Sequence, residues 1–91
     1  MEGAAIRITG KVQGVWFRAS TAEKANSMGG LSGWVKNMDD GSVAVWVEGE
    51  KEKILALAKW CETGPPLARV EQVEIVWKKA TGKYDGFKTR W

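Results

Sequence analysis

Histidine is absent from this chain, and its absence excludes more chemistry than any other feature of the composition. No Ser-His-Asp triad, Cys-His pair or phosphohistidine can form without it. Cys61 is the only cysteine, so an intrachain disulfide is impossible and a zinc site lacks its ordinary ligands. We therefore expect neither a metal nor a cofactor. A lone thiol is compatible with a reducing compartment, and we expect a cytoplasmic location.

Long apolar runs are also lacking, and the first residues do not show the basic-then-apolar pattern of a signal peptide. The chain has 91 residues, of which 44% are hydrophobic and 27% charged, as in ordinary globular domains. Its net charge of +3 favours anionic ligands but falls short of a dense basic surface for nucleic acid. We predict a single monomeric domain over residues 1–91 that binds neither membranes nor nucleic acids.

The centre of the sequence is a strand that leads through a glycine-containing loop into a helix. Alternation predicts the strand over Ala4–Val12, and small residues at helical spacing predict the helix over Ala19–Met28. The spacing Ser20–Glu23 is typical of a capping box at its start. Between them, the loop Gln13–Arg18 has a bend at Gly14, and such turns beside a helix N-terminus bind anions through backbone N–H groups. A plain surface turn with a solvated arginine remains the alternative.

The rest of the sequence predicts four more strands and a second helix. Strands are predicted over Leu31–Asn37, from Val43 to Gly49, around Val73–Trp77 and, at an edge, over Phe87–Trp91. A helix is predicted over Glu50–Cys61, with an apolar stripe formed by Ile54, Leu57, Ala58 and Cys61.

The order βαββαβ predicts an α+β fold: a ferredoxin-like two-layer sandwich of one antiparallel sheet with two helices on one face. Right-handed crossover makes the first two strands parallel, with the third between them. The loop Gln13–Arg18 should then lie beside Asn37, at the end of the second strand.

Two motifs carry a family resemblance across essentially the whole chain: Gly10–Arg18 (GKVQGVWFR) and Gly33–Asn37 (GWVKN). With the following DGSV at 40–43 and GPP at 64–66, they resemble the acylphosphatase family. The resemblance implies hydrolysis of small acyl phosphates. It implies catalysis by Arg18, which binds phosphate, and Asn37, which positions water. It also implies a phosphate-binding loop whose residues are Gln13, Gly14, Val15, Trp16, Phe17 and Arg18.

Several residues depart from the family pattern or have an alternative interpretation. Trp16 is bulky for its loop position, so it either contacts the acyl group or covers the core. Met38 and the stretch Met28–Leu31 also differ from many members. Asn37 is alternatively a turn former, and adjacent aspartates such as Asp39 and Asp40 are usually solvated turn residues. The remaining tryptophans are predicted to pack in the core or on the sheet: Trp34, Trp46, Trp60, Trp77 and Trp91.

Two other functions remain open. Ferredoxin-like sheets also bind RNA by stacking bases on exposed aromatic residues, although the expected basic-Gly-aromatic signature is missing from the central strand at Ser42–Glu48. A regulatory module would bind phosphate or an acyl phosphate without hydrolysing it.

Overall fold

A computed structural model describes the whole chain, Met1–Trp91, as five strands and two helices. Their bounds are β1 (Glu2–Lys11), α1 (Phe17–Met28), β2 (Ser32–Asn37), β3 (Val43–Gly49), α2 (Lys51–Cys61), β4 (Arg69–Lys79) and β5 (Phe87–Arg90).

The five strands form one sheet in the order β4-β1-β3-β2-β5. The pairs β1–β3, β1–β4 and β2–β3 are antiparallel, whereas β5 joins the edge of β2 in parallel. This confirms the predicted ferredoxin-like sandwich, with β3 between β1 and β2, and the predicted edge position of the last strand. Because β2 and β5 are parallel, their C-terminal ends lie at the same edge of the sheet, which is also the edge where β1 ends.

Alternating apolar residues of the sheet bury one face against the helices. Ile6 and Ile8 of β1 and Val45 of β3 are among 17 buried residues that form one hydrophobic cluster. The predicted stripe of α2 is confirmed, since all four of its residues are buried. Burial raises the pKa of the Cys61 thiol to about 12, as expected for an inert core cysteine.

The start of α1 differs from the prediction. The helix begins at Phe17 rather than Ala19, and the predicted capping box does not form. The Ser20 N–H already donates to the Trp16 carbonyl at 3.0 Å, and the Thr21 hydroxyl donates to the Phe17 carbonyl at 2.7 Å. Phe17 is 2% exposed, and burial of its ring sets the helix start two residues earlier.

Glu48, in β3, is a fully buried carboxylate that the sequence did not single out. Its Oε2 accepts hydrogen bonds from Trp46 Nε1 at 2.7 Å and from the hydroxyl and N–H of Thr81 at 2.7 and 3.1 Å. Its Oε1 accepts the Gly82 N–H at 2.9 Å. Burial alone would raise the pKa of Glu48, but these hydrogen bonds outweigh it and lower the pKa to about 2. The carboxylate therefore fixes the β4–β5 loop against the sheet.

We expect the stability of the protein to fall in acid because Glu48 becomes protonated. An unfolded glutamate has a pKa of about 4.3, above the value of about 2 in the folded chain. Its contribution is therefore complete above the unfolded pKa and is lost as the pH falls toward the folded one. In Glu48→Gln one carboxylate oxygen becomes an NH₂ group, which then faces N–H and O–H groups that need an acceptor. The substitution should therefore lower the free energy of unfolding by about 1–3 kcal/mol at neutral pH.

Urea unfolding of wild type, Glu48→Gln and Glu62→Gln at several pH values checks this expectation. Glu62 is an exposed carboxylate outside the network, so its variant serves as the matched control. Equal acid sensitivity of wild type and Glu48→Gln would show that Glu48 does not stabilise the fold through its charge.

Candidate active site

The chain leaves β1 through a bulge and a left-handed turn. The register of β1 and β4 shifts between Thr9 and Gly10, and a side chain at Gly10 would come within 2.2 Å of the Arg69 carbonyl oxygen. Gly14 then adopts φ 72°, with open space where a side chain would lie. Glycine is therefore required at position 14 by backbone conformation rather than by crowding. These two glycines turn the chain from the strand end to the start of α1.

The N-terminus of α1 has unpaired backbone donors. From Gly14 to Ala19, no backbone N–H donates to an acceptor in the protein. The N-cap residue, Trp16, makes no side-chain capping bond, and the first turn carries no acidic residue. The positive end of the helix dipole is therefore uncompensated, which is the usual arrangement of an anion-binding helix N-terminus.

Phe17 anchors this junction to the core. Its ring lies 5.8 Å from the ring of Trp60 on α2, centroid to centroid. Gly64, after α2, packs directly against the same ring. A β-carbon at this position would lie only 2.5 Å from Phe17 Cε2, so the contact requires glycine. Packing of one buried aromatic residue therefore fixes the position of the donors around it.

A cavity of about 440 Å³ opens in front of these donors. It is lined by Val12, Gly14, Trp16, Phe17, Arg18, Ala19, Asn37, Thr89 and Trp91. The predicted proximity of the loop and Asn37 is therefore present. Of the predicted loop residues, Gln13 and Val15 do not line the cavity. Gln13 Nε2 instead donates to the carbonyls of Met38 at 2.7 Å and Ser42 at 2.8 Å, and Val15 is buried in the core.

The side chain of Arg18 borders this cavity and contacts the end of β5. Its guanidinium carbon lies 4.0 Å from the ring centroid of Trp91, a cation–π distance. Its Nη1 donates to the Arg90 carbonyl at 3.3 Å. No carboxylate pairs with Arg18, so its charge is free to attract an anion.

Asn37 ends β2, lines the same cavity and is half-buried. Its carboxamide makes no hydrogen bond within the protein. Other groups hold the turn that follows: Met38 N–H donates to the Ser42 carbonyl at 2.8 Å, and the Asp40 carboxylate accepts from Ser42. The alternative role of Asn37 as a turn former therefore has no contact to support it.

Asp40 is a turn residue, as its sequence context predicts. Its Oδ1 accepts the N–H and hydroxyl of Ser42, at 2.9 and 2.6 Å, and its Oδ2 pairs with Arg7 at 2.8 Å. The hydrogen bonds from Ser42, followed by that from Arg7, hold the pKa of Asp40 well below its usual range. Asp39 is exposed, and neither aspartate lines the cavity that holds Arg18.

The tryptophans divide into two groups. Trp34 and Trp46 pair across β2 and β3 and are half-buried, and Trp60 packs on the core, as predicted. For Trp91 the packing prediction is wrong, because this residue is 90% exposed and lines the cavity. Trp16 is 76% exposed, which excludes the alternative that it covers the core.

A larger groove of about 640 Å³ lies on the helix-free face of the sheet, where an RNA-binding domain of this fold would bind bases. Trp34 and Trp46 line it. Its charged residues are of both signs: Arg7, Lys36, Lys78, Asp39, Asp40 and Glu74. This mixture differs from the continuous basic surface that is typical of nucleic-acid binding.

Fold and cavity together define a ferredoxin-like α+β domain with a pocket at a helix N-terminus, between an arginine and an asparagine. Comparison with known proteins narrows this class. The family model described as acylphosphatase matches residues 4–89. Proteins named acylphosphatase from Roseiflexus sp. and Methylococcus capsulatus are each 45% identical, the first over all of this chain and 97% of its own length, the second over 96% and 94%.

Solved structures agree with the sequence comparison. The crystal structure of acylphosphatase from Bacillus subtilis superposes with a TM-score of 0.94 at 28% identity, covering both chains completely. The structure of an acylphosphatase from Coxiella burnetii gives a TM-score of 0.90 at 37% identity, over 98% of this chain and 92% of that one. The chain belongs to the acylphosphatase family, and this membership supports acyl phosphate hydrolysis as its activity. Neither of its helices has the length and apolar character needed to cross a membrane.

Proposed function

We propose that this chain hydrolyses acyl phosphates to a carboxylate and inorganic phosphate, with the phosphate held at the start of α1. The observation that carries the proposal is the meeting of three features in one cavity: unpaired backbone N–H groups, the unpaired charge of Arg18 and the unpaired carboxamide of Asn37. In acyl phosphate hydrolysis the leaving group is already a good one. Charge neutralisation and a placed water are therefore the main requirements.

The loop and Arg18 share the phosphate oxygens in this mechanism. The unpaired N–H groups between Gly14 and Ala19 donate to some of these oxygens, and the Arg18 fork donates to the others. Phe17 anchors the helix start and Gln13 ties the loop to the β2–β3 turn, so the N–H groups are in place before substrate arrives. The guanidinium of Arg18 is held separately, by the Trp91 ring and the Arg90 carbonyl. Such preorganised donors stabilise charge that develops during the reaction.

Asn37 orients the attacking water. Its carboxamide oxygen accepts a hydrogen bond from the water and aligns it with the bond between phosphorus and the acyl oxygen. A bond forms from the water oxygen to phosphorus, and the bond from phosphorus to the carboxylate oxygen breaks. An amide is a poor base and the chain has no histidine, so the water proton passes to a phosphate oxygen of the substrate.

We further propose that the reaction needs no metal. The chain has no group of three or more acidic or cysteine side chains placed to hold an ion, and Asp40 is already engaged by Ser42 and Arg7. Hydrolysis should therefore continue unchanged in EDTA, and Asp39→Asn should keep most of the rate. Between about pH 5 and 8, where histidine normally titrates, the rate should follow only the ionisation of the substrate or product phosphate. Loss of activity in EDTA that added Mg²⁺ restores would contradict this part of the mechanism.

Timed release of phosphate from freshly prepared benzoyl and acetyl phosphate tests the activity. The expected result is a rate proportional to enzyme concentration and inhibited competitively by inorganic phosphate. Phosphate binding without any release would instead identify a regulatory module. We also propose that the domain acts as a monomer in the cytoplasm, a reducing compartment compatible with its lone buried thiol, Cys61.

A further inference from the structure

Two large aromatic side chains that contribute nothing to the core line the same cavity. Trp91 is 90% exposed and Trp16 is 76% exposed, higher fractions than for any other large hydrophobic residue of the chain. One exposed indole needs no explanation, but two on the walls of one cavity form a patch. Patches of this kind, beside a few convergent polar groups, are typical of ligand sites.

The backbone conformation of Trp16 is a second observation that points to a ligand site. Its φ of 68° is the only positive φ outside glycine in the chain, and a β-carbon disfavours this conformation. Because the side chain is exposed, core packing does not compensate for the strain. Glycine would relieve it, as at Gly14. Strained residues of this kind are concentrated at functional sites.

The position of Trp91 connects this patch to the proposed phosphate site. Its ring lies 4.0 Å from the guanidinium carbon of Arg18. In an acyl phosphate, a single oxygen separates phosphorus from the acyl carbon. An acyl group attached to a phosphate on Arg18 must therefore begin close to the ring of Trp91. The cavity, at about 440 Å³, has room beyond the phosphate for a large group.

We propose that Trp16 and Trp91 form the subsite for the acyl group and that this subsite favours planar, aromatic acyl groups over the acetyl group. Flat rings stack on indole faces, whereas a methyl group covers little of their area. This inference rests on the proposed function, because it needs phosphate at Arg18. It concerns the choice among acyl phosphates and leaves the hydrolytic step as described.

The ratio of kcat/KM for benzoyl phosphate to that for acetyl phosphate measures the proposed preference. We expect Trp91→Ala and Trp16→Gly each to lower this ratio about tenfold, and Trp91→Phe to keep most of it. Trp77→Ala is the matched control, since it removes a partly exposed indole that does not line the cavity; its ratio should equal that of wild type. If Trp16→Gly fails to fold, Trp16→Leu replaces the ring while retaining an apolar side chain.

Two outcomes would overturn the subsite. The ratio could stay constant in both variants. Alternatively, Trp91→Ala could lower both rates equally and raise the Ki of phosphate, which would make Trp91 a support for Arg18 alone. A wild-type chain that hydrolyses neither substrate would instead refute the proposed function. Failure of the two proposals is therefore distinguishable.

Discussion

Arg18→Ala is expected to lower kcat/KM for acyl phosphates by about 100- to 1,000-fold, the usual loss when one preorganised donor to a developing charge is removed. Arg18 is the one cation among the residues that line the cavity, and no carboxylate neutralises it. The Ki of inorganic phosphate should rise as well, because the same contact holds the product. Steady-state kinetics with benzoyl phosphate measures both effects.

Two further variants make this result interpretable. Arg18→Lys keeps the charge but loses the planar fork, so it should recover only part of the activity. Lys88→Ala also removes one positive charge, from the exposed side of β5 outside the cavity, and should retain wild-type kinetics. If Arg18→Ala retained near-normal kcat/KM, Arg18 would have no role in the site.

Asn37→Ala should give the second large effect, a fall in kcat of about 100-fold, with the Ki of phosphate close to that of wild type. The reason is that Asn37 is proposed to hold the water and not the phosphate. Its carboxamide makes no hydrogen bond in the protein, so its removal breaks no structural contact. The unfolding midpoint should therefore change little.

Asn37→Asp extends the same argument. It preserves the shape of the side chain but adds a negative charge beside the phosphate, so the variant should be at least as inactive as Asn37→Ala. Its Ki for phosphate should rise through repulsion, unlike that of the alanine variant. If Asn37→Ala raised this Ki as much as it lowered kcat, Asn37 would be a phosphate ligand and the assigned role would be wrong.

The sequence predicted the architecture because hydrophobic periodicity and topology determine it. The valines at 43, 45 and 47 and the stripe of α2 alternate with the periods of a strand and a helix, and their burial confirms both interpretations. The handedness of the crossover brought the loop and Asn37 together without any knowledge of side-chain positions. These features follow from the backbone path alone.

Details that depend on tertiary packing were missed. Ser20 and Glu23 have the spacing of a capping box, but burial of Phe17 overrode that local signal. Alternation with Phe87 and Thr89 predicts packing for Trp91, but β5 already ends at Arg90 and Trp91 lies beyond the strand. The parallel pairing Val35–Thr89 carries the chain end to the cavity, and that pairing has no signature in the sequence.

The burial of Glu48 is a further feature that the sequence did not predict. A glutamate after alternating valines indicates the end of a strand, and nothing local predicts its full burial. Besides Trp46, its partners are Thr81 and Gly82, which lie more than thirty residues away and reach it only because the β4–β5 loop folds over the sheet.

The decisive experiment is hydrolysis of benzoyl phosphate in water enriched in heavy oxygen, followed by phosphorus NMR of the phosphate and mass spectrometry of the benzoate. We expect rapid release of phosphate that carries one heavy oxygen, with none in the benzoate, because water held by Asn37 attacks phosphorus. Arg18→Ala and Asn37→Ala should each abolish most of this labelled product. Label in the benzoate, or labelled phosphate formed equally well by both variants, would contradict a site built from Arg18, Asn37 and the N–H groups of the loop.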